Sequence, residues 1–348
     1  MEYELNKLLV SNIPDITSPG VCNTAEWFAA VKDVHQLPDV VEINAVDNSG
    51  AVCFVGFVEK EYRFLPFKTL HQGCWKYSTR SSVAISLAAP AESMDLFLDN
   101  LQSLRGWHKS RLLLVDNSVA QNQLVASLNK NGLRHQIEQV IQSPYICLPS
   151  SLDEYTARFD KKFRYTLRNG LKKLSEQGDV QARLYETPEK CAEMLEHIYE
   201  IEKNSWKEQD GTSITKNPMQ KAFYEKFSEV AAQQGWLKTF ILFVDEQPVA
   251  HCYGMLFNGV FENLKMSYKS EFNAYSPGNL LNLEIVKYLI AHNVTVYDYM
   301  GVVEPSKMKW TNDIYSQSQV TFYRKSLSGR LFYYFDLFKS WFKKRFSK

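Results

Sequence analysis

The residues best suited to chemistry gather in the last third of the chain. Asn273 to Leu281 is a turn rich in Ser, Pro, Gly and Asn that opens an amphipathic helix, with Tyr275 leading into it. Ser276 stands at the cap position and Pro277 at the first helical position. Gly278 follows, and its missing side chain lets a ligand approach the backbone. This reading leaves amides near Asn279, Leu280 and Leu281 unpaired, and such a helix start attracts anions, diphosphates included. After the helix come a strand, Val294 to Asp298, then Gly301 and a Lys/Trp cluster from Lys307 to Trp310. A well-capped helix beside a strand is also what plain packing produces, so the turn gains meaning only with its neighbours.

Two other features carry ligand-binding chemistry. Residues 153–177 read as one charged helical run, with Phe159, Phe163, Leu167, Leu171 and Leu174 at helical spacing and cations on the remaining arc. Arg164 and Arg168 are one turn apart and could clasp a phosphate or carboxylate together, although such arcs usually serve only to solvate a helix. Trp206 opens a polar loop, where a tryptophan either seals the core or offers a ligand platform.

The elements that must position these groups are legible from periodicity. Trp236 to Val244, Pro248 to Phe257 and Val260 to Tyr268 make a three-stranded antiparallel meander, with Asn258-Gly259 as its second turn. Upstream, Val180 to Tyr185 reads as a strand, Pro188 to about Ser205 as a helix capped by Thr187, and Pro218 to Gln233 as another helix. In the first part of the chain, Val40 to Ala45 and Ala51 to Val58 form a hairpin, Tyr62 to Phe67 a third strand ending near Pro66, and Ser82 to Leu87 a fourth. Helices at Met94 to Leu104 and Val119 to Asn129 flank a buried strand, Arg111 to Val115. A strand from Ile137 to Ile141 then leads into Ser143 to Ser150, whose two prolines suggest a linker or crossover.

Composition bounds the answer. The 348 residues suffice for about two domains, and 45% hydrophobic with 14% aromatic content supports real cores. A net charge of +1 gives no global basic field, so nucleic acid or membrane would have to meet a local patch. Cys22, Cys53, Cys74, Cys147, Cys191 and Cys252 are scattered without metal-ligand spacing, which argues against a metal site and for reduced thiols in a cytosol. The acidic N-terminus does not read as a secretory signal, and no window is apolar enough to span a bilayer. The expected division is residues 1–150, 151–328 and a tail, 329–348, in which Leu331, Phe335, Phe338 and Phe342 form an apolar stripe amid lysine and arginine. That tail reads either as a helix packed on the body or as a peripheral membrane helix.

The order and spacing of several pieces resemble the BioF2-like branch of the GNAT acyltransferases, which includes cellulose-biosynthesis-associated acetyltransferases and is related to the FemAB peptidyl transferases. The pieces are Phe163 to Arg168, Ser205 to Lys207 with Gly211, Pro248 to His251, Leu264 to Tyr268, Tyr275 to Gly278, and Tyr297-Asp298 with Gly301 and Lys307. The resemblance implies an α+β GNAT fold, in two tandem GNAT-like units around mixed, mainly antiparallel sheets. It implies acyl transfer from a carrier thioester, acyl-CoA or an acyl carrier protein, to an amine or hydroxyl of a sugar or polysaccharide precursor, with no permanently bound cofactor. The carrier diphosphate would sit on Tyr275, Ser276, Pro277, Gly278, Asn279 and Leu280, although only one glycine is present where the superfamily commonly has two. His251 would be the general base, Asp298 the alternative base or the group orienting His251, and Lys307 a support for the thioester carbonyl or the acceptor. Lys265 and Tyr268 would line the neighbouring strand on opposite faces. Cys252 is adjacent to His251 and so points to the other face, which excludes a simple Cys/His dyad. The resemblance also admits an aminoacyl-tRNA-dependent transferase of FemAB type and a non-catalytic module binding a nucleotide sugar or lipid head group. The expected location is the cytoplasm, with peripheral contact at the inner membrane face only if the tail takes its membrane reading.

Overall fold

The computed structural model describes residues 19–37, 40–48, 50–72, 83–85 and 87–346. They form two compact units: residues 19–141 with 316–346, and residues 142–315. Where the sequence suggests breaks at 150 and 328, the compact units divide at 141/142 and 315/316.

The first unit begins with α1 (Ala25–His35) and the hairpin β1 (Val40–Val46) and β2 (Ala51–Lys60), closed where Asp47 Oδ1 accepts from the Gly50 amide. The third strand, β3 (Lys68–Gln72), starts after Phe67, later than Tyr62. Residues 61–67 form a loop instead, because the Glu61 carboxylate turns inward to Thr69, Lys109 and Arg111, and Pro66 has no amide for a ladder. Of the strand expected from Ser82 to Leu87, Ala84–Ile85 is β4, while Ser82 and Ser86 lie outside the described residues. Then follow α2 (Pro90–Ser103), β5 (Lys109–Val115), α3 (Val119–Lys130) and β6 (His135–Cys147). The segment expected as a linker is therefore strand as far as Cys147. Pro144 is tolerated there because its carbonyl accepts from the Tyr299 amide and no donor is asked of it.

In the second unit the charged run divides into α4 (Leu152–Ala157) and α5 (Lys161–Ser175). The break is local: Asp160 Oδ1 accepts from the Phe163 amide at 2.7 Å and caps a new helix. Next are β7 (Val180–Tyr185), α6 (Cys191–Lys203), the short α7 (Trp206–Gln209), α8 (Pro218–Gln233), and the meander β8 (Thr239–Val244), β9 (Gln247–Phe257) and β10 (Val260–Tyr268). Asn258 and Gly259, both at positive φ, make the β9–β10 turn as expected. A 3-10 turn (Ser270–Tyr275), α9 (Pro277–Ala291) and β11 (Val296–Asp298) complete the sheet, in the order β6-β11-β10-β9-β8-β7. β10 and β11 are parallel and the other neighbours antiparallel. Alternation decides which helix covers which face. Cys252, Phe261 and Ala250 bury against α5 and α9, whereas Tyr253 turns to Tyr224 and Ser228 of α8.

The chain then returns to the first unit with β12 (Ile314–Tyr323), which pairs antiparallel with β5 and gives the order β1-β2-β3-β5-β12, with β4 beside β2. The last element is α10 (Leu327–Phe346). Among the described residues, no helix is long and apolar enough to cross a membrane.

Candidate functional site

The meander brings His251 to the face of the sheet covered by α6 and α8, opposite the face of its neighbour Cys252. Its partner there was not among the expected site residues. Cys191, Leu195 and Ile198 form the buried stripe of α6, and the same spacing carries Glu202 into the core with no exposed surface. Glu202 Oε1 stands 3.3 Å from Lys207 Nζ, 3.4 Å from His251 Nε2 and 3.7 Å from Lys265 Nζ, while Oε2 accepts from the Ile214 amide at 2.7 Å. Burial alone would raise this carboxyl, but His251, Lys207 and Lys265 override it and hold it at about 2. Burial pushes Lys207 down to about 8 against the pull of Glu202. It lowers His251 and Lys265 as well, again opposed by Glu202. The centre thus gathers a carboxylate, an imidazole and two lysine side chains. It suits an acceptor's proton and a developing negative charge. Neither His251 ring nitrogen makes a hydrogen bond of good geometry among the described residues; Nε2 only approaches Glu202 Oε1, at 3.4 Å.

This cluster lies toward the C-terminal end of β10. Parallel pairing with β11 stops at Glu262 opposite Asp298, and a bulge between Asn263 and Lys265 follows at once. β10 therefore runs on to Tyr268 without β11 beside it. Asp298 pairs with Glu262, whereas His251 pairs with Ser267, five residues further along β10. At strand rise that separates them by roughly 15 Å, so Glu202, and not Asp298, stands beside His251. Asp298 instead accepts from the Met300 amide (2.8 Å) and the Tyr315 hydroxyl (3.0 Å), pinning a turn in which Met300 has positive φ. Lys307 Nζ lies 3.6 Å from Glu304 and donates to the Val302 carbonyl, and burial lowers it against the charges of Glu304 and Asp298. A Cβ on Gly301 would stand 2.7 Å from this ammonium.

At the helix start the structure corrects the expected cap. Ser276 occupies the cap position at φ 56 and its side chain makes no capping bond. The Asn279 and Leu280 amides, expected to be free, both donate to the Ser276 carbonyl. Pro277 has no amide hydrogen, which leaves Gly278 as the first-turn amide without an acceptor among the described residues. Tyr268 reaches this turn: its hydroxyl donates to Asn273, and its ring would lie 3.3 Å from a Cβ on Gly278. Lys265, on the opposite face, reaches Glu202 as its parity requires. Asn279 Oδ1 accepts from Trp310 Nε1 at 3.3 Å, which sets the turn carrying Lys307 against the start of α9. Tyr275 is held from the other side by α5, where a Cβ on Gly170 would be 2.7 Å from the Tyr275 carbonyl.

The two arginines part company. Arg164 donates back to the Ala157 carbonyl, whereas Arg168 borders an apolar cavity of about 280 Å³ with Leu167, Leu171, Leu280 and Leu283. They make no common clasp. Trp206 is half exposed at the start of α7, its ring centroid 5.8 Å from Lys207 Nζ. Glu202 had a detectable signal, an acid on the apolar stripe of its helix. Lys207 stood in the Ser205 to Lys207 piece without a role.

Residues 161–308 match the family described as Acetyltransferase (GNAT) domain. No curated protein matches the chain. Among solved structures, FemX superposes with a TM-score of 0.64 at 12% identity, covering 91% of this chain and 95% of that one. A conserved protein of unknown function from Bacteroides thetaiotaomicron VPI-5482 superposes with a TM-score of 0.59 at 16% identity, covering 92% and 96%. The chain has the α+β GNAT fold with a mixed sheet, and residues 161–308 form a GNAT acetyltransferase domain, an acyltransferase by class.

Proposed function

We propose that the protein moves an acyl group from a carrier thioester, with acyl-CoA as the first choice, to an amine or hydroxyl of a saccharide precursor, as in the BioF2-like branch. The observation that carries this reading is the buried Glu202–His251–Lys207–Lys265 centre beside the stretch of β10 that β11 leaves uncovered. In this scheme the thioester lies along β10 beyond Glu262, with its diphosphate at the Gly278 amide and Lys307. His251 takes the acceptor's proton while Glu202 orients the ring and stabilises the imidazolium that forms. Lys265 and Lys207 offset the negative charge that develops on the thioester oxygen. Attack of the acceptor's nitrogen or oxygen on the carbonyl carbon and loss of the thiolate complete the transfer.

A second reading, a donor carried on charged RNA, is favoured by one observation. The exposed arc of α5 carries Lys161, Lys162, Arg164, Arg168, Lys172 and Lys173 with no acidic residue between Lys161 and Ser175. Thermal unfolding of the purified protein with acyl-CoAs and, separately, aminoacyl-tRNA distinguishes the two. Stabilisation by a CoA thioester supports the first reading, and a shift with aminoacyl-tRNA alone replaces it. His251→Ala and Lys307→Ala are expected to cut turnover far more than stability; wild-type turnover in both would remove the assignment.

A further inference from the structure

The apolar stripe seen in the tail proves to have two faces. One packs on the first unit: Phe332 is fully buried and stacks on Phe67 with centroids 4.3 Å apart, and Phe335 meets Tyr62. Asp336, the only acid from Leu327 to Phe346, turns inward on this face, 2.8 Å from the buried Lys109 ammonium and 2.9 Å from the Tyr323 hydroxyl. The opposite face is open. Leu327, Leu331, Tyr334, Phe338, Trp341, Phe342 and Phe346 recur at steps of three and four and remain exposed, Phe338 by 61% and Trp341 by 53%. Arg330 and Arg345 are exposed along the same helix, while Lys339 donates to the Tyr62 hydroxyl at the edge of the packed face. The loop clamped to α10 by Phe67 and Tyr62 adds Phe64, 87% exposed, with the Arg63 guanidinium 5.5 Å from its ring.

We infer that this open face is a docking surface for an anionic lipid bilayer, with α10 lying in the plane of the headgroups. Aromatic and leucine side chains enter the acyl boundary while the cations meet lipid phosphates. Charge argues against a second copy of the chain as the occupant. With Asp336 committed to Lys109, two such faces would oppose cation to cation with no carboxylate from either helix to offset them. Depth also fits, because the helix is too short of apolar length to cross a bilayer. This inference does not depend on the catalytic assignment.

Co-sedimentation of the full chain with vesicles of phosphatidylcholine, alone or mixed with phosphatidylglycerol, tests it. Binding should favour the mixed vesicles and weaken with salt. Phe338→Ser, Trp341→Ser and Phe342→Ser combined should weaken it on the order of tenfold or more while leaving the thermal unfolding curve unchanged, since all three side chains are exposed. Equal partition of variant and parent overturns the proposal, as does failure of the parent to bind the mixed vesicles. It is also overturned if the substitutions abolish self-association and leave vesicle binding intact.

Discussion

Glu202→Gln keeps the side chain's shape and removes the charge that holds three basic groups together. Its carboxyl sits at about 2 in the folded protein against an ordinary 4.5, and that gap corresponds to about 3 kcal/mol of stability at neutral pH. The figure lies at the low end of the roughly 3–5 kcal/mol found when one partner of a buried ion pair is removed. Because the folded value is depressed, the contribution is present above 4.5 and lost as pH falls through 4.5 toward 2. Urea unfolding of both proteins should therefore show a difference near 3 kcal/mol at neutral pH that narrows steadily below 4.5. In parallel, kcat/KM should fall on the order of a hundredfold, since His251 loses the group that orients it. A stability difference under about 1 kcal/mol, or one that stays constant into acid, would refute the reasoning: Glu202 would then not be the anionic anchor of the cluster.

The pH–rate profile should rise along a limb centred below the ordinary histidine value of 6.5, because burial lowers His251, and fall near 8 as Lys207 loses its proton; stopped assays across this range would show both limbs. Gly170→Val forces a side chain against the Tyr275 carbonyl and should cost about 1–3 kcal/mol by chemical unfolding while raising the donor KM through displacement of the helix start. Asp298→Ala removes the carboxylate that accepts from the Met300 amide and the Tyr315 hydroxyl and should cost about 1–3 kcal/mol, with kcat/KM of the folded fraction changed by less than tenfold. A much larger loss of turnover than of stability in Asp298→Ala would return that residue to the catalytic centre.

Local rules determined much of this protein. The Asn258-Gly259 turn, the alternation that separates His251 from Cys252 and Lys265 from Tyr268, and Pro277 at the first position of α9 all follow from short-range backbone geometry. The order of these pieces was enough to suggest the GNAT fold that the structure shows. Register and long-range packing decided the rest. Only the pairing of Glu262 with Asp298 and of Ser267 with His251 separates two residues that seemed natural partners. Only the docking of α6 on the sheet brings Glu202 beside His251, across 49 residues of chain. The Ser276 cap failed for a similar reason, since a left-handed residue after the 3-10 turn points its carbonyl, and not its side chain, at the first amides. Sequence periodicity says which face a side chain takes, because that depends on its own backbone. Which group it meets there depends on how other elements pack, and that is a property of the folded chain alone.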